Sequence, residues 1–319
     1  MRHVVLAIDV GGTSLKGAAV ASDGRVEERA RLQVEAFACA SKDAILDHLY
    51  DTVKVLAALA EQAYPGERIC FPGVGFAFPG PFDYERGISY IRGLGKYEAL
   101  FGVGVKAELE RRIAADDRLS ALLASPPRLS FGNDASLFAL GEAAHGVASR
   151  YRRSICLTVG TGLGSGFIED GRLVADRGDV PQDGWLFRLP WEDGIVDDYA
   201  SRRGILRMAE GFGYDTKQAD VRELAEAARA GDTRAVALFE QFGRELGRIV
   251  AAYGAPFRPE AVVLGGQISN ASPLFAPAMA DQLAGEGCPV QIAQSEDTLL
   301  STFRGIRDLV TASAWKGSE

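Results

Sequence analysis

Asp9-Val10-Gly11-Gly12-Thr13-Ser14-Leu15-Lys16-Gly17 is the stretch on which the reading of this chain turns. The residues leading into it, Val4–Val10, form a short apolar run rich in β-branched side chains, which predicts a buried strand ending at the glycine pair. Leu15 to Ala21 reads as a second strand, Ser22-Asp23-Gly24 as a turn, and Val26 to about Val34 as a third strand. Asp-Gly between apolar runs is a strong hairpin signal. Adjacent glycines let backbone N–H groups close on an anion, because no Cβ blocks the approach. Thr13 adds a hydroxyl donor. Asp9, at the strand end, is positioned to hold hydrated Mg²⁺, which takes one or two carboxylates together with water and phosphate oxygens. A plain tight hairpin would use the same glycines. The spacing is neither GxGxxG nor that of a P-loop, so a dinucleotide fingerprint and a Walker motif are both set aside.

The same order recurs further on. Ser154–Val159 is strand-like, Gly160-Thr161-Gly162 follows, a strand runs to about Ile168, Asp170-Gly171 turns, and Arg172-Leu173-Val174 continues. Laying Val159 on Val10 puts Gly160 on Gly11 and Gly166 on Gly17, with the next hairpin two residues shorter. Four glycines within residues 160–166 are costly inside a strand pattern unless backbone must approach something closely. A duplicated unit implies two lobes built from one repeated fold. Two such loops, one per half, suit a grip on a polyphosphate from either side; a bulged hairpin is the plain alternative.

Between and beyond these hairpins, residues 42–63 have a helical pattern, with Ile45, Leu49, Val53, Leu56 and Leu59 on one side, and Cys70 to Phe78 reads as a strand that stops at Pro79-Gly80-Pro81. Helices are expected at about 217–230, 233–253, 272–284 and 305–315, and strands at 261–264 and 290–293. The segment 115–130, with Ser125-Pro126-Pro127, is the place where the first lobe would pass into the second. That gives an N-terminal lobe of residues 1–125, a C-terminal lobe of 126–299, and a final helix of about 300–319 folding back onto the first lobe.

Composition narrows the function. The 319 residues carry 35 Lys and Arg against 43 Asp and Glu, a net charge of −8, and 47% are hydrophobic. At roughly 150 residues per domain this length fits two domains with ample core. An acidic chain without a basic tract is a poor partner for nucleic acid or an anionic membrane, since both need clustered Lys and Arg. The four cysteines, Cys39, Cys70, Cys156 and Cys288, form no CxxC unit, so reduced thiols are expected and no zinc ribbon can be assembled. The absence of a signal-peptide pattern or a bilayer-length apolar run points to a cytoplasmic location.

Two further motifs carry chemistry. At Gly132-Asn133-Asp134-Ala135-Ser136-Leu137 a strand gives way to an amphipathic helix. Asn133 or Asp134 is therefore expected at the N-cap. The functional reading has Asp134 accept a proton from a substrate hydroxyl during phosphoryl transfer, with Asn133 bonded to a neighbouring hydroxyl. Val262-Val263-Leu264-Gly265-Gly266-Gln267 places a glycine pair at a strand end, where a flat adenine could lie.

Taken in order, Asp9–Gly17, Gly75–Asp83, Asn133–Glu142, Gly160–Gly171 and Val262–Gly266 resemble the ROK family of sugar kinases, within the actin-like ATPase-domain superfamily. The resemblance implies an α/β, two-lobed, ribonuclease H-like fold with a duplicated βββαβα core and a central cleft. It implies an ATP-dependent carbohydrate kinase, glucokinase-like, phosphorylating a hexose or related sugar at its C6 hydroxyl with Asp134 as general base. Gly11, Gly12, Thr13, Lys16, Gly160, Thr161 and Gly162 would contact the phosphates of ATP, and Gly265 and Gly266 would border adenosine. Asp9 would hold Mg²⁺ through water. Gly80, Asn133 and Asp134 would line the sugar pocket, and homodimers are common in such families.

The departures are as informative. The family's Glu-x-Gly-His sugar segment is matched here by Gln182-Asp183-Gly184-Trp185, and the zinc-binding cysteines that follow it are missing. No structural zinc is expected, and packing by Trp185, Phe187 and Trp191 is expected to hold the segment. Trp185 reads equally as a sugar-stacking residue and as core. Gly194-Ile195-Val196-Asp197-Asp198-Tyr199-Ala200-Ser201 still resembles the family's Gly-Cys-Leu-Glu-x-Tyr-x-Ser, which places Asp197 where a sugar-contacting Glu is expected. Asp9 lies too near the start for the helix-turn-helix of the family's repressors. A non-catalytic sugar sensor of the same fold is the alternative, and an actin-like ATPase with a protein partner is a second.

Overall fold

A computed structural model describes residues 2–312. The chain divides into two compact units, Met1–Leu137 with the chain from Leu299 onward, and Phe138–Thr298.

In the first unit, β1 (Arg2–Val10), β2 (Ser14–Ala21) and β3 (Val26–Glu35) form an antiparallel meander, and β4 (Ile69–Ala77) and β7 (Leu123–Gly132) add parallel strands. The sheet order is β3-β2-β1-β4-β7. A small hairpin, β5 (Phe82–Asp83) and β6 (Ile88–Ser89), stands apart from the sheet. Helix α1 (Lys42–Ala63) has the bounds its pattern predicts, and the Ser41 hydroxyl accepts the Ala44 N–H at its start. It buries Ile45, Leu49, Val53 and Leu56 in a core shared with Leu6, Ile8, Val74 and Phe76.

The segment 115–130 is not a linker. After α2 (Val105–Ala114), Asp116 caps α3 (Asp117–Leu122) by accepting the Leu119 N–H at 2.9 Å, and β7 follows at once through Pro126-Pro127. β7 pairs only with β4, so it is the sheet edge, where a missing N–H is tolerated. α4 (Asp134–His145) then begins in the first unit and runs on into the second.

The second unit repeats the plan. Strands β8 (Arg153–Val159), β9 (Leu163–Glu169) and β10 (Arg172–Val174) form the meander, and β13 (Ala261–Gly265) and β14 (Gln291–Gln294) add parallel strands in the order β10-β9-β8-β13-β14. The repeat read from the glycine turns is therefore a repeat of whole-sheet topology. One detail differs from a fixed offset. Val10 pairs with Leu15 but Val159 pairs with Leu163, so the second turn is one residue tighter and Ser165, not Gly166, matches Gly17 in register. At Asp170-Gly171 both residues have positive φ (49° and 74°), as a two-residue hairpin of matching twist requires.

Between these strands lie the hairpin β11 (Pro190–Trp191) and β12 (Gly194–Ile195), then α5 (Val196–Tyr199), α6 (Arg202–Gly211), α7 (Val221–Arg229) and α8 (Thr233–Gly254), and α9 (Ser272–Gly285) precedes β14. A methyl group on Gly243 of α8 would stand 2.1 Å from the Phe275 carbonyl oxygen of α9, so the two helices pack backbone to backbone.

Last comes α10 (Thr298–Thr311). The sequence placed this helix at 305–315 and up to residue 319; residues 313–319 lie outside the described part. Ile306 joins Ala7, Ala18, Val20, Ala77 and Leu137 in a second cluster of the first unit. A methyl group on Gly75 would stand 2.3 Å from Ile306 Cγ2 and 2.8 Å from Val310 Cγ2. Gly75 is thus the slot in β4 that seats α10. Gly75→Val is expected to cost about 2 kcal/mol or more by overpacking, read as a lowered denaturation midpoint. Gly285→Ala, with open space at its Cβ, should leave the midpoint unchanged within about 0.5 kcal/mol.

Candidate functional site

The first unit gathers its chemistry at one edge of its sheet. β1, β4 and β7 are parallel, and Asp9, Ala77 and Gly132 stand in one register row across them. The chain leaves all three strands on the same side, which is where open α/β sheets place their ligand sites. Two strand spacings, about 10 Å, separate the first and third strands of such a row. Asp9 and Asp134 are consequently within electrostatic reach of each other. Burial, with the Asp134 charge second, pushes the Asp9 carboxyl up to about 6, against a lowering by Lys16, its cross-strand partner on β2.

Asn133 and Asp134 divide the work at the start of α4. The Asn133 side-chain oxygen accepts the N–H groups of Ala135 (3.0 Å) and Ser136 (3.1 Å), so Asn133 is the cap. Its amide nitrogen lies 3.5 Å from the Tyr84 hydroxyl. A methyl group on Gly80 would stand 3.2 Å from that same hydroxyl, so Gly80, Tyr84 and Asn133 converge. One Asp134 oxygen accepts the Ala135 N–H at 2.9 Å, and the Asn133 side chain and Lys96 lie close enough to favour its charged form. Its residue surface is exposed. Protein nevertheless crowds the carboxyl closely enough that lost hydration raises it above the usual carboxylate range, against lowering by the Ala135 N–H and Lys96. An accessible carboxylate that holds a proton more tightly than usual is suited to general-base work.

The glycine turn after β1 is braced from below. The Gly11 N–H donates to the Ser14 carbonyl (3.1 Å), the Ala36 N–H to the Thr13 carbonyl (2.9 Å) and the Tyr97 hydroxyl to the Gly11 carbonyl (2.7 Å). Gly12 and Thr13 remain exposed at the tip. Tyr97, Lys96 and Tyr84 went unnoticed in the sequence. They lie in irregular chain with no periodicity to mark them, and only the fold brings them to the turn.

In the second unit the register row Thr158 and Gly265 sets the corresponding edge. The Gly160 N–H donates to the Gly162 carbonyl (3.0 Å), and the Gly160 carbonyl accepts the Arg202 N–H (2.9 Å). Thr161 and Gly162 are exposed. Asp197 backs this turn. One of its oxygens accepts the Leu163 N–H at 2.6 Å, the other accepts from Arg203, and a methyl group on Gly162 would stand 3.1 Å from it. The sequence set Asp197 against a sugar; here both its oxygens serve the phosphate-type turn and an arginine. Gly265 is buried against the Phe138 ring, where a methyl would come within 2.4 Å, whereas Gly266 is partly open and donates its N–H to the Thr298 hydroxyl at 2.9 Å. Of the pair, Gly266 is the one with surface to offer.

The segment that departs from the family pattern is anchored without cysteine ligands. Ser165 Oγ donates to the Gly184 carbonyl (2.7 Å) and accepts the Leu186 N–H (2.9 Å). Trp191 Nε1 donates to Glu245 (2.5 Å), Arg248 lies over the Trp191 ring, and Tyr253 donates to the Pro190 carbonyl. Gln182 is exposed on a short 3₁₀ turn. Trp185 is half-buried beside Phe187 and under Arg188, and its Nε1 has no hydrogen-bond partner among the described residues.

The raised Asp9 carboxyl has a thermodynamic consequence. The folded chain binds that proton more tightly than the unfolded chain, whose Asp titrates near 3.8. Stability without ligand therefore falls as pH rises from about 4 to about 6. Asp9→Asn is expected to stabilise the metal-free protein at pH 7.5 by about 2 kcal/mol, a gain that shrinks as pH is lowered toward 4.5. Calorimetric melting across that range checks it.

The chain matches the ROK family model over residues 5–295. It is 27% identical over 295 residues to a glucokinase of Thermotoga maritima, covering 86% of this chain and 85% of that protein. It is likewise 27% identical over 304 residues to an N-acetyl-D-glucosamine kinase of Shigella boydii, covering 88% and 89%. Among solved structures, a ROK hexokinase from Thermus thermophilus superimposes with a TM-score of 0.70 at 25% identity, over 95% of this chain and 98% of that one. With a family match that spans both glycine turns, the Asn133-Asp134 helix start and the Gly265-Gly266 strand end, the chain belongs to the ROK family.

Proposed function

We propose that this protein is an ATP-dependent sugar kinase, glucokinase-like, that transfers the γ-phosphoryl group of ATP to the C6 hydroxyl of a hexose or related sugar. One observation carries the reading: an exposed carboxylate, Asp134, at a helix start, within electrostatic reach of Asp9 beside an exposed glycine turn. The similarity to proteins named glucokinase and N-acetyl-D-glucosamine kinase supports it independently.

In this reading Asp134 orients the sugar hydroxyl and takes its proton as the new O–P bond forms. The turns Gly11–Thr13 and Gly160–Gly162 offer N–H groups and the hydroxyls of Thr13 and Thr161 to phosphate oxygens, with Lys16 beside Asp9 adding positive charge. Gly266 borders adenosine. Among the described residues no three His, Cys, Asp or Glu side chains gather as a metal cage. A fully protein-ligated ion does not fit, but Mg²⁺ that keeps most of its waters fits Asp9. When bound it would offset charge on the phosphates.

For the sugar, Gly80, Asn133, Gln182 and Trp185 remain the candidates. The half-buried Trp185 ring suits stacking on a sugar face. Asp197 stays a candidate sugar contact, and its carboxylate also holds the second turn through the Leu163 N–H. A homodimer completes the proposal. No described helix is long and apolar enough to cross a membrane. The sensor alternative is not favoured, since a sensor needs neither the exposed carboxylate nor two phosphate turns.

A coupled ADP-release assay over a panel of hexoses and N-acetylhexosamines tests this. Sugar-dependent release is expected, and Asp134→Asn should lower it by about 10²–10⁴-fold while sugar binding by calorimetry persists. Binding without turnover in the parent protein would return the sensor reading, and ATP turnover indifferent to every sugar would return the ATPase.

A further inference from the structure

Lys96 has no place in any motif of the sequence, yet the fold sets it over the first phosphate turn. A methyl group on Gly12 would stand 3.1 Å from Lys96 Cδ and 4.0 Å from its Nζ. The side chain is held by its neighbours in the chain. Tyr97 is buried, donates its N–H to the Ala38 carbonyl at 2.6 Å and its hydroxyl to the Gly11 carbonyl at 2.7 Å. Lys96 therefore rides on a residue that is itself bonded to the turn. It is half-buried, and among the described residues it has no carboxylate within 4.0 Å. Other cations near this edge are answered differently: Lys16 stands directly opposite Asp9. A half-buried ammonium with no carboxylate in ion-pair range, set over the first glycine turn and near enough to Asp134 to lower its carboxyl, marks where negative charge is to arrive.

We propose that Lys96 is a further catalytic residue of the phosphoryl transfer, donating to the non-bridging oxygens of the γ-phosphoryl group between the Gly12 turn and Asp134. The proposal rests on the kinase reading above. In the step, the sugar oxygen forms its bond to γ-phosphorus as the bond from γ-phosphorus to the β,γ-bridging oxygen breaks. The hydroxyl proton passes to Asp134, the electron pair of the broken bond stays with ADP, and Lys96 keeps its protons throughout. A lysine suits this position as a compact point charge on a flexible stem, able to follow the phosphoryl group from donor to acceptor.

The test compares Lys96→Met and Lys96→Arg with the parent protein. Titration calorimetry measures the affinity for Mg²⁺ with ADP and for Mg²⁺ with the non-hydrolysable analogue AMP-PNP, which differ in the γ-phosphoryl group. Lys96→Met should bind the analogue about tenfold more weakly while binding ADP as before. With the sugar that supports ADP release, its kcat should fall about 10²–10³-fold with the sugar KM changed less than about threefold. Lys96→Arg, which keeps the charge, should recover most of both. An equal loss of affinity for analogue and ADP, or unchanged affinity for both, overturns the proposal. So does a raised sugar KM at constant kcat, especially one confined to acidic sugars, which would assign Lys96 to substrate recognition. Should no sugar support turnover in the parent protein, the kinase reading fails, and the contrast between analogue and ADP still decides where Lys96 points.

Discussion

Three parallel strands that end in register are the constraint on which the first unit's chemistry depends. Asp9, Ala77 and Gly132 occupy one row, so the glycine turn, the Gly80 segment and the Asn133-Asp134 helix start must all emerge from one edge. The cost of that arrangement is electrostatic. Two carboxylates share a neighbourhood that burial has partly dried, and the Asp134 charge adds to the burial that disfavours ionisation of Asp9. Lys16 and Lys96 moderate the repulsion from opposite sides. A cation on Asp9 would relieve it further, so the same tension that weakens the empty protein favours loading of the site.

The sequence made the hairpins and the long helices legible because their signals are local. The Asp170-Gly171 turn and the helical pattern of residues 42–63 are each decided by residues close by in the chain. What escaped was non-local. Pro126-Pro127 argues for a loop until β7 is known to be a sheet edge. The one-residue difference between the two glycine turns shows only in strand pairing. At the site, Asp134 and Asn133 could be named, but not their division of labour, which needs the Ala135 and Ser136 N–H bonds. Lys96, Tyr97 and Tyr84 carry no pattern, and the 86 residues between Tyr97 and its partner Gly11 hide that contact from any local reading.

The region that departs from the family pattern shows how one fold can be held by different chemistry. Its β11–β12 hairpin sets an indole N–H on Glu245, an arginine over the same indole and a tyrosine on the Pro190 carbonyl. These contacts are weaker singly than a metal–thiolate bond, but they close a short hairpin whose own backbone contributes only the pairing of Pro190 with Ile195 and Trp191 with Gly194. Their effect reaches Asp197, since its N–H donates to the Phe187 carbonyl and its carboxylate meets the Leu163 N–H. Changes to the aromatic cluster thus reach the second glycine turn through the Asp197 carboxylate.

The seating of α10 on β4 bears on the order in which the protein matures. Gly75 is formed early in synthesis, but the helix that fills the space above it is made only after the whole of the second unit. At ribosomal rates of roughly 5–20 residues per second the interval is about ten to fifty seconds. During that time one face of the first sheet, with Ala7, Val20 and Ala77 on it, has no cover from its own chain. The second unit, Phe138–Thr298, is one continuous stretch and waits on no later segment of the chain. A nascent chain of this design therefore completes its later half first, and its earlier half depends meanwhile on chaperones or on the bare face remaining small.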